Sequence, residues 1–314
     1  KETSNNSWSQ IKDNSKKLIM IELSGWFDWM NWVIPKTDME YYKNIRWEMA
    51  FSWGDLIDLW DVYLNKNLEA FKEFYDSWDL RIVNRVWAPN HSRWHDTALI
   101  QVTSQKALQT VNTPWIIWEL IKNDSNPLNN IVLGSQRPTV YTNWKYLNIW
   151  YNNITYQNPV WNTTQAQKTY QLNTLKDIFN SRTYPELLKD SYDNSLALDN
   201  IAKTQSSVWY TLASRLNFTK NLINSDIWIT YYLNGWGWYD THQDQLKSWV
   251  YNLNNRLSDL SKDITSFFKD LKNSWKDVTI IVYSEFWRTL KTNWTLWTDH
   301  WEGWWYFILS TNNK

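Results

Sequence analysis

The stretch Leu18–Asn31 reads LIMIELSGWFDWMN and decides the fold class more than any other part of the chain. Its first six residues form a nearly continuous apolar run, which is typical of a strand buried on both faces of a sheet. Ser24 and Gly25 end the run, and a polar loop that contains Asp28 follows. A core strand that leads into a loop with a carboxylate predicts an α/β protein, because such proteins bind ligands beyond the carboxyl ends of their strands.

Working outward from this stretch, apolar residues recur with the periods of strands and helices along most of the chain. Strands are predicted at 18–23, 80–86, 131–134, 227–233, 278–283 and 306–310, and helices at 65–77, 96–109 and 243–273. Buried strands that alternate with helices predict a mostly parallel central sheet covered by helices on both faces.

The 314 residues suit a single large domain with a sizeable core. Residues 1–17 are rich in Ser, Asn and Lys and start with Lys1, so we interpret them as a polar linker left after removal of an export signal. Residues 18–314 form the domain, and the Asn-, Tyr- and Gln-rich segment of about 141–225 is interpreted as a mainly helical insertion. Because the chain stops in a core strand, we expect its C-terminus to be truncated.

The composition excludes several classes of protein. The 32 Lys and Arg balance 32 Asp and Glu, so the chain has no net charge with which to bind nucleic acid or an anionic membrane surface. The absence of Cys excludes a disulfide scaffold, a thiolate zinc site and a cysteine nucleophile. No apolar run approaches the roughly 18 residues that span a bilayer.

The tryptophan and glycine counts are both abnormal. An average protein of this length has roughly 22 glycines, whereas this chain has 6 glycines and 27 tryptophans. Trp26, Trp29, Trp87 and Trp294 lie in turn-like contexts that favour glycine, because glycine adopts positive φ freely. Our hypothesis is that most of these tryptophans are UGA codons that the organism reads as glycine. A tryptophan-rich sugar-binding surface is the alternative. UGG codons at positions 26, 29, 87, 287 and 301 would rule out the glycine hypothesis.

All four histidines lie in polar segments that adjoin predicted strand ends. These segments are 24–35, 87–97, 234–245, 284–289 and 292–303, and each contains Asp, Glu or His. Imidazole nitrogens and carboxylate oxygens are ligands that zinc accepts together, so the segments predict a divalent metal site at one edge of the sheet.

Each of these residues also has an ordinary structural interpretation. Asp28 suits a turn, and Ser92 suits the cap of the helix that follows it. Asp240 and His242 would share one face of a strand whatever their role. Glu285 is the stronger indication, because a carboxylate at the end of an apolar strand is costly to bury unless it is paired or bound to metal.

When tryptophan is read as glycine, five blocks of sequence resemble a known family. The blocks are LSGGFDGMN at 23–31, GAPNHSRGH at 87–95, GGYDTHQDQ at 237–245, SEFGR at 284–288 and GTDHGEG at 297–303. In this order and spacing they resemble the bacterial family called domain of unknown function 1501, from about Leu18 to Ser310. That family is grouped with the alkaline phosphatase and sulfatase superfamily, so the resemblance implies a three-layer α/β/α sandwich.

The resemblance also implies a site with one or two divalent metal ions, of which zinc is the expected identity. Asp28 resembles the ligand after the first strand, Asp240 and His242 resemble ligands of the other metal, and His300, with Asp299, resembles the C-terminal ligand. Glu285 stands where the superfamily usually has Asp-His, so that ligand pair is altered. The implied catalytic group is Ser92 as the nucleophile, Arg93 or Arg288 as the clamp on an anion, and His95 of the same block as Ser92.

Three functions remain open at this point. The first is a metal-dependent hydrolase of phosphate or sulfate esters, acting on a small molecule or a polymer. The second is a non-catalytic exported envelope protein that keeps a metal-binding pocket. The third is the tryptophan-rich carbohydrate binder. Metal content and turnover of aryl phosphate and aryl sulfate separate the first two, and the codons decide the third.

Overall fold

The fold is described from a computed structural model. It describes residues 16–23, 25, 28–86, 92–104, 130–133, 147–149, 170, 173–174, 177, 211–224, 230–235, 244–247, 252–285, 287–301 and 303–312. Predictions for the other residues lie outside the described part of the chain.

The strands and helices follow in chain order. The strands are β1 (Lys16–Leu23), β2 (Val33–Pro35), β3 (Leu56–Asp58), β4 (Val62–Asn65), β5 (Leu80–Val86), β6 (Asn130–Leu133), β7 (Leu147–Ile149), β8 (Thr230–Gly235), β9 (Asp277–Tyr283), β10 (Trp287–Arg288), β11 (His300–Trp301) and β12 (Trp304–Ser310). The helices are α1 (Met39–Arg46), α2 (Ala70–Asp76), α3 (His95–Ser104), α4 (Leu212–Asn224) and α5 (Leu253–Asn273).

A mixed seven-stranded sheet forms the centre of the fold. Its strand order is β5-β12-β9-β1-β8-β6-β7. The pairs of β1 with β8 and β9, and of β6 with β7 and β8, are parallel. Strand β12 pairs antiparallel with both β5 and β9. The carboxyl ends of β1, β8 and β9 therefore meet at one edge of the sheet.

Strand β1 is central because its sequence suits burial on both faces. Ile19, Ile21 and Leu23 are buried on one face of the sheet, and Met20 and Glu22 are buried on the other. Strands β9 and β8 flank β1 on its two sides. An apolar run of this kind is stable only where strands flank it on both sides and side chains cover both faces. The quoted stretch therefore fixes the middle of the sheet.

Helix α5 supplies the largest helical contribution to the core. Its buried residues recur every three or four positions: Leu253, Leu257, Leu260, Ile264, Phe267, Phe268 and Leu271. This spacing places them on one face of the helix. Phe268 packs edge-on against Phe74 of α2, with ring centroids 4.8 Å apart, and α5 also lies against α4.

Two short antiparallel elements were not predicted from the sequence. Strands β2, β4 and β3 form a three-stranded sheet, and β10 pairs with β11 as a two-residue ladder. Their strands have only two to four residues, which is too short for the apolar alternation that reveals longer strands.

The structure corrects the predicted start of one helix. The helix expected from residue 243 begins at Leu253, because the Asn252 side chain caps it by accepting the N–H of Asn255 at 2.8 Å. Residues 244–247 instead form a turn, in which the Gln245 N–H donates to the carbonyl of Leu296 at 3.1 Å. Strand β7 lies within the segment 141–225 and extends the central sheet through β6. Most of that segment lies outside the described residues, so its mainly helical character stays a prediction.

The direction of β12 has a simple cause. Between β9 and β12 the described residues form only short strands and turns, and strands joined without a crossover helix pair antiparallel.

Strands 18–23, 80–86 and 278–283 are found close to their predicted bounds, although β1 begins at Lys16. Within the described part of the chain, no helix has the length and apolar character needed to cross a bilayer.

Candidate active site

The loops that follow β1 and β9 meet where these neighbouring parallel strands end. The backbone N–H of Gly25, two residues after β1, donates to Oε1 of Glu285 at 3.1 Å. Glu285 itself follows β9 by two residues. The shared sheet edge therefore brings together two positions that are 260 residues apart in sequence.

Glu285 is a fully buried carboxylate. Its Oε1 lies 2.7 Å from Nδ1 of His95, and its Oε2 accepts the hydroxyl of Ser284 at 2.9 Å. Burial raises the pKa of Glu285, but hydrogen bonds from His95, from its own backbone N–H and from Gly25 outweigh burial and hold the pKa below its ordinary value. The carboxylate is therefore ionised and acts as a hydrogen-bond acceptor.

A second histidine lies beside His95. The ring centroids of His95 and His300 are 5.8 Å apart, and their planes are inclined by 68°. Nδ1 of His300 lies 2.8 Å from the backbone carbonyl oxygen of Arg93. The Arg93 guanidinium packs over the Trp301 ring, with Cζ 4.3 Å from its centroid.

Asp28 lies in a second buried cluster, in which the Arg46 guanidinium is its counter-ion. Its Oδ2 accepts hydrogen bonds from Nη1 of Arg46 at 2.7 Å and from Nε2 of Gln245 at 2.5 Å. Arg46 and Asp28 are both buried, and Nη2 of Arg46 also donates to the carbonyl of Thr289 at 3.2 Å. The other oxygen, Oδ1, is buried and receives no hydrogen bond from the residues that the structure describes.

Tyr42 closes this cluster on the side of α1. Its hydroxyl donates to Oδ1 of Asn31 at 2.7 Å and accepts the N–H of Phe51 at 2.9 Å. Burial is the main cause that raises the pKa of Tyr42. The phenol is therefore neutral and serves to anchor the loop that carries Asp28.

Ser92, the predicted nucleophile, lies three residues before α3. Its Oγ accepts the N–H of Trp94 at 3.1 Å, and its own N–H donates to Oε1 of Gln101 at 2.5 Å. Both contacts fix the segment that leads into α3, but the Ser92 side chain accepts from Trp94, which precedes the helix, so Ser92 is not its N-cap. They also place Ser92 on the same short segment as Arg93 and His95.

The two arginines proposed as anion clamps have different surroundings. Arg93 is exposed, whereas Arg288 is fully buried. Nη1 of Arg288 donates to the carbonyl of Thr298, and its guanidinium lies 5.3 Å from the ring centroid of Trp297. Asp299 is exposed, and its backbone pairs with Thr289 through a 2.6 Å hydrogen bond.

The predicted site residues therefore fall into three groups. His95, Glu285, His300 and the Arg93 backbone lie in one set of contacts, and Asp28 lies in the neighbouring cluster with Arg46. Asp240 and His242 lie outside the described residues. Within the described residues, no cluster of three or more His, Asp or Glu side chains is arranged to hold a metal ion.

Sequence reasoning missed Arg46 and Gln245. Gln245 is the last residue of the GGYDTHQDQ block, so a motif contained it without indicating a role. Arg46 carries no signal of its own, because it lies 18 residues from Asp28 on a helix with other charged residues. Only the meeting of α1 with the loop after β1 identifies it.

One family model matches part of the chain. The family described as "Protein of unknown function (DUF1501)" matches residues 213–309. This confirms the family resemblance over that range, which includes α4, α5, β8, β9 and the segments around Glu285 and His300. No curated protein matches the chain.

Several solved structures match this chain at low sequence identity and with TM-scores below 0.5. The zinc complex of the C-terminal periplasmic domain of EcEptC from Escherichia coli is 10% identical, with 94% of this chain and 72% of that chain covered and a TM-score of 0.46. A phosphoglycerol transferase, GacH, from Streptococcus pyogenes is 10% identical, with 95% and 69% covered and a TM-score of 0.46. A protein in the alkaline phosphatase superfamily from Vibrio parahaemolyticus is 10% identical, with 94% and 60% covered and a TM-score of 0.46.

Proposed function

We propose that this chain is a metal-dependent hydrolase of phosphate or sulfate esters, with its site beyond the carboxyl ends of β1 and β9. The observation that carries the proposal is the state of Asp28. One carboxylate oxygen is held by two donors, while Oδ1 is buried and has no hydrogen-bond donor among the described residues. A buried carboxylate oxygen without a partner is costly, and a bound cation would satisfy it.

Asp28 therefore fits the role of a metal ligand that the family resemblance implies. Arg46 and Gln245 hold Oδ2, which fixes the plane of the carboxylate and leaves Oδ1 for the ion. Asp240, His242 and Asp299 remain proposed ligands on the strength of the resemblance alone. A bound divalent ion, for which zinc is our proposal, would lower the pKa of the attacking hydroxyl and neutralise charge on the ester oxygens.

The remaining steps belong to side chains of the segment before α3. The Ser92 hydroxyl oxygen would attack the phosphorus or sulfur atom as the bond to the ester's alcohol oxygen breaks, and the departing alcohol would take up the proton that the hydroxyl loses. Water would then attack the phospho- or sulfo-serine, which would release phosphate or sulfate and restore the Ser92 hydroxyl. Arg93 binds the ester oxygens, because it is exposed where Arg288 is buried. Arg288 instead holds the 297–298 turn through Thr298 and Trp297.

The proposal also includes the setting of the enzyme. We place it in the cell envelope after export, acting on a small-molecule or polymer ester, and we assign it the three-layer α/β/α arrangement of the alkaline phosphatase superfamily. The central sheet and the helices packed beside it support an α/β fold, and the three layers are proposed on the strength of the family resemblance.

Turnover of an aryl phosphate and an aryl sulfate tests the function directly. The purified chain should hydrolyse at least one of them with added zinc and lose activity when the metal is chelated. Ser92→Ala should abolish turnover and leave metal binding unchanged, whereas Ser258→Ala, an exposed serine on α5, should retain both. Full turnover by Ser92→Ala would show that another group is the nucleophile.

A second candidate function is a non-catalytic envelope protein that keeps this pocket. The observation in its favour is that both buried carboxylates already have partners: Arg46 neutralises Asp28, and three donors surround Glu285. Metal binding without turnover of either ester would support this function over hydrolysis.

A further inference from the structure

In the hydrogen bonds that the structure describes, the two neighbouring imidazoles use the same ring nitrogen, Nδ1. His95 presents Nδ1 to Glu285 and His300 presents Nδ1 to the carbonyl of Arg93. A carbonyl oxygen only accepts, so Nδ1 of His300 carries the proton. Oε1 of Glu285 already accepts the Gly25 N–H and Oε2 accepts the Ser284 hydroxyl, so Nδ1 of His95 is the donor to this carboxylate.

These contacts determine where each ring can bind a metal. In a neutral imidazole whose Nδ1 carries the proton, the lone pair lies on Nε2. A carboxylate or backbone carbonyl on the other ring nitrogen is the usual support of a metal-binding histidine, because it fixes both tautomer and ring orientation. His95 and His300 each have such a support, although the supporting groups differ.

The separation of the rings suits one shared ion. Two imidazoles on a tetrahedral zinc ion, with Zn–N distances of about 2.0–2.1 Å, have ring centroids roughly 5 Å apart. The observed 5.8 Å differs from this by an amount that a small rotation of either side chain removes. Both side chains also lie on short elements, the start of α3 and the two-residue strand β11.

We propose that His95 and His300 form a pair of Nε2 donors for one zinc ion, and that Glu285 lies outside the coordination sphere as the residue that positions His95. This inference rests on the metal site of the proposed function but not on hydrolysis. It changes two assignments: Glu285 becomes a positioning residue in place of a ligand, and His95 becomes a ligand in place of a member of the catalytic group.

Nitrogen-15 NMR of the histidine side chains tests the pair in the unsubstituted full chain, and substituted chains serve only to identify the signals. The chain has four histidines, and His95→Gln and His300→Gln identify their signals. Both rings should be protonated at Nδ1 before zinc is added, and both Nε2 signals should shift together at one equivalent of zinc. A proton on Nε2 of either neutral ring, or a shift of only one of the two, would overturn the proposal.

Zinc affinity measured by calorimetry tests the role of Glu285. Glu285→Gln should weaken zinc binding about 10- to 100-fold, because it removes the charge that supports His95. Glu48→Gln, which changes an exposed carboxylate on another element, is the matched control and should bind zinc as the parent does. Parent-like affinity in Glu285→Gln would overturn its positioning role.

The two proposals can fail separately. Zinc that shifts both rings without turnover of aryl esters supports the histidine pair and rejects hydrolysis. Turnover in a protein whose two rings do not respond to zinc rejects the histidine pair and keeps hydrolysis.

A different observation, the backbone at three tryptophans, supports a second inference. The described residues contain five non-glycine positions with positive φ, and three of them are tryptophan: Trp47, Trp78 and Trp275. Positive φ is uncommon for any residue with a Cβ, and bulky side chains resist it most. Their side chains are 72%, 72% and 95% exposed, so no packing compensates for the strain.

Two of the three lie where helices end in the left-handed conformation that glycine favours. Trp275 follows the C-cap of α5; its N–H donates to the carbonyl of Lys272, and the N–H of Lys276 donates to Leu271. This is the Schellman pattern, in which glycine usually takes the position of Trp275. Trp78 lies at the same position after α2, and its N–H donates to Tyr75.

Trp47 has the more restrictive backbone. At the end of α1 it adopts φ 40° and ψ −110°, which lies in a region that glycine enters readily and other residues avoid. We infer that the source organism inserts glycine at positions 47, 78 and 275, so that their codons are UGA read as glycine. The argument covers these three positions, since Trp29, by contrast, is buried and stacks on Trp305 with centroids 4.7 Å apart.

The coding DNA and a stability series test this inference. The codons at the three positions should be UGA, and UGG at all three would overturn it. In the chain that carries tryptophan at these positions, each single substitution should raise the thermal midpoint of unfolding by about 2 °C: Trp47→Gly, Trp78→Gly and Trp275→Gly. The reason is that glycine removes the free-energy cost of positive φ. Trp60→Gly is the matched control: Trp60 is 89% exposed and has no positive φ, so it should show no gain. Equal effects at all four positions would contradict the backbone argument.

Discussion

At the scale of single residues, the buried pair of Arg46 and Asp28 determines how the loop after β1 is held. Neither side chain is exposed to water, so each needs the other to offset the loss of hydration. Arg46 also reaches the carbonyl of Thr289, which ties α1 to the segment after β9. The pair therefore connects two walls of the candidate site.

Arg46→Met is expected to lower the free energy of unfolding by about 3–5 kcal/mol, because it leaves the Asp28 carboxylate buried without its cation. Urea denaturation measures this loss. Asn44→Met, an exposed position on the same helix, is the control and should stay within about 0.5 kcal/mol of the parent. Adding Asp28→Asn to Arg46→Met should recover part of the loss, and a double variant as unstable as the sum of both single variants would show that the two side chains do not depend on each other.

At the scale of elements, helix α5 starts where Asn252 caps it. The Asn252 side chain accepts the N–H of Asn255 at 2.8 Å, which satisfies one of the donors left over at a helix start. Asn252→Ala is expected to reduce the free energy of unfolding by about 1 kcal/mol. Asn273→Ala, at the exposed end of the same helix, should have little effect. Chemical denaturation of both variants checks the difference, and similar losses would rule out the cap as its cause.

Asp263, a carboxylate of α5 that contacts the backbone of α4, lowers the stability of the folded protein to an extent that depends on pH. Burial, followed by the charge of Asp259, raises the pKa of Asp263 above its ordinary value of 3.8, although the Ala213 N–H and Lys262 act in the opposite direction. A raised pKa in the folded state means that stability is lost as the pH rises through this value. The cost is therefore present at neutral pH and absent in acid.

Asp263→Asn should consequently stabilise the protein at pH 7 by about 0.5 kcal/mol, the size of one like-charge pair on a helix. At pH 3, where the carboxyl is protonated, the variant and the parent should be equally stable. Thermal midpoints at the two pH values provide the measurement. A gain that is the same at both would show that charge is not the cause.

At the scale of the whole molecule, the strand order determines which strands keep their hydrogen bonds longest as the protein unfolds. Strand β1 lies between β8 and β9, and Ile19 and Ile21 are fully buried. Strand β3, at the edge of the small sheet, has residues that are half-buried or exposed. Hydrogen exchange of β1 amides should therefore require global unfolding, while β3 amides exchange through local opening. Mass spectrometry of exchanged fragments tests this, and equal protection of both strands would contradict it.

The sequence by itself determined the elements whose signal is local. Leu18–Leu23 and Val278–Tyr283 are nearly continuous apolar runs that only a central strand can bury, and both lie in strands of the main sheet. Glu285 follows the second run by two residues. The sequence marked it as a candidate site residue because a buried carboxylate needs partners. The motif blocks likewise indicated the family that matches residues 213–309. Each of these inferences depends on residues close together in the chain.

The tertiary structure alone decided which partners those residues have. Arg46 pairs with Asp28 across 18 residues, and His95 reaches Glu285 across 190. It also decided that β12 runs antiparallel to β9 and that α5 starts at Leu253. The physical reason is that apolar periodicity reports burial of a segment against an unspecified neighbour, whereas the partner of a buried charge depends on which loops the strand order brings to one edge.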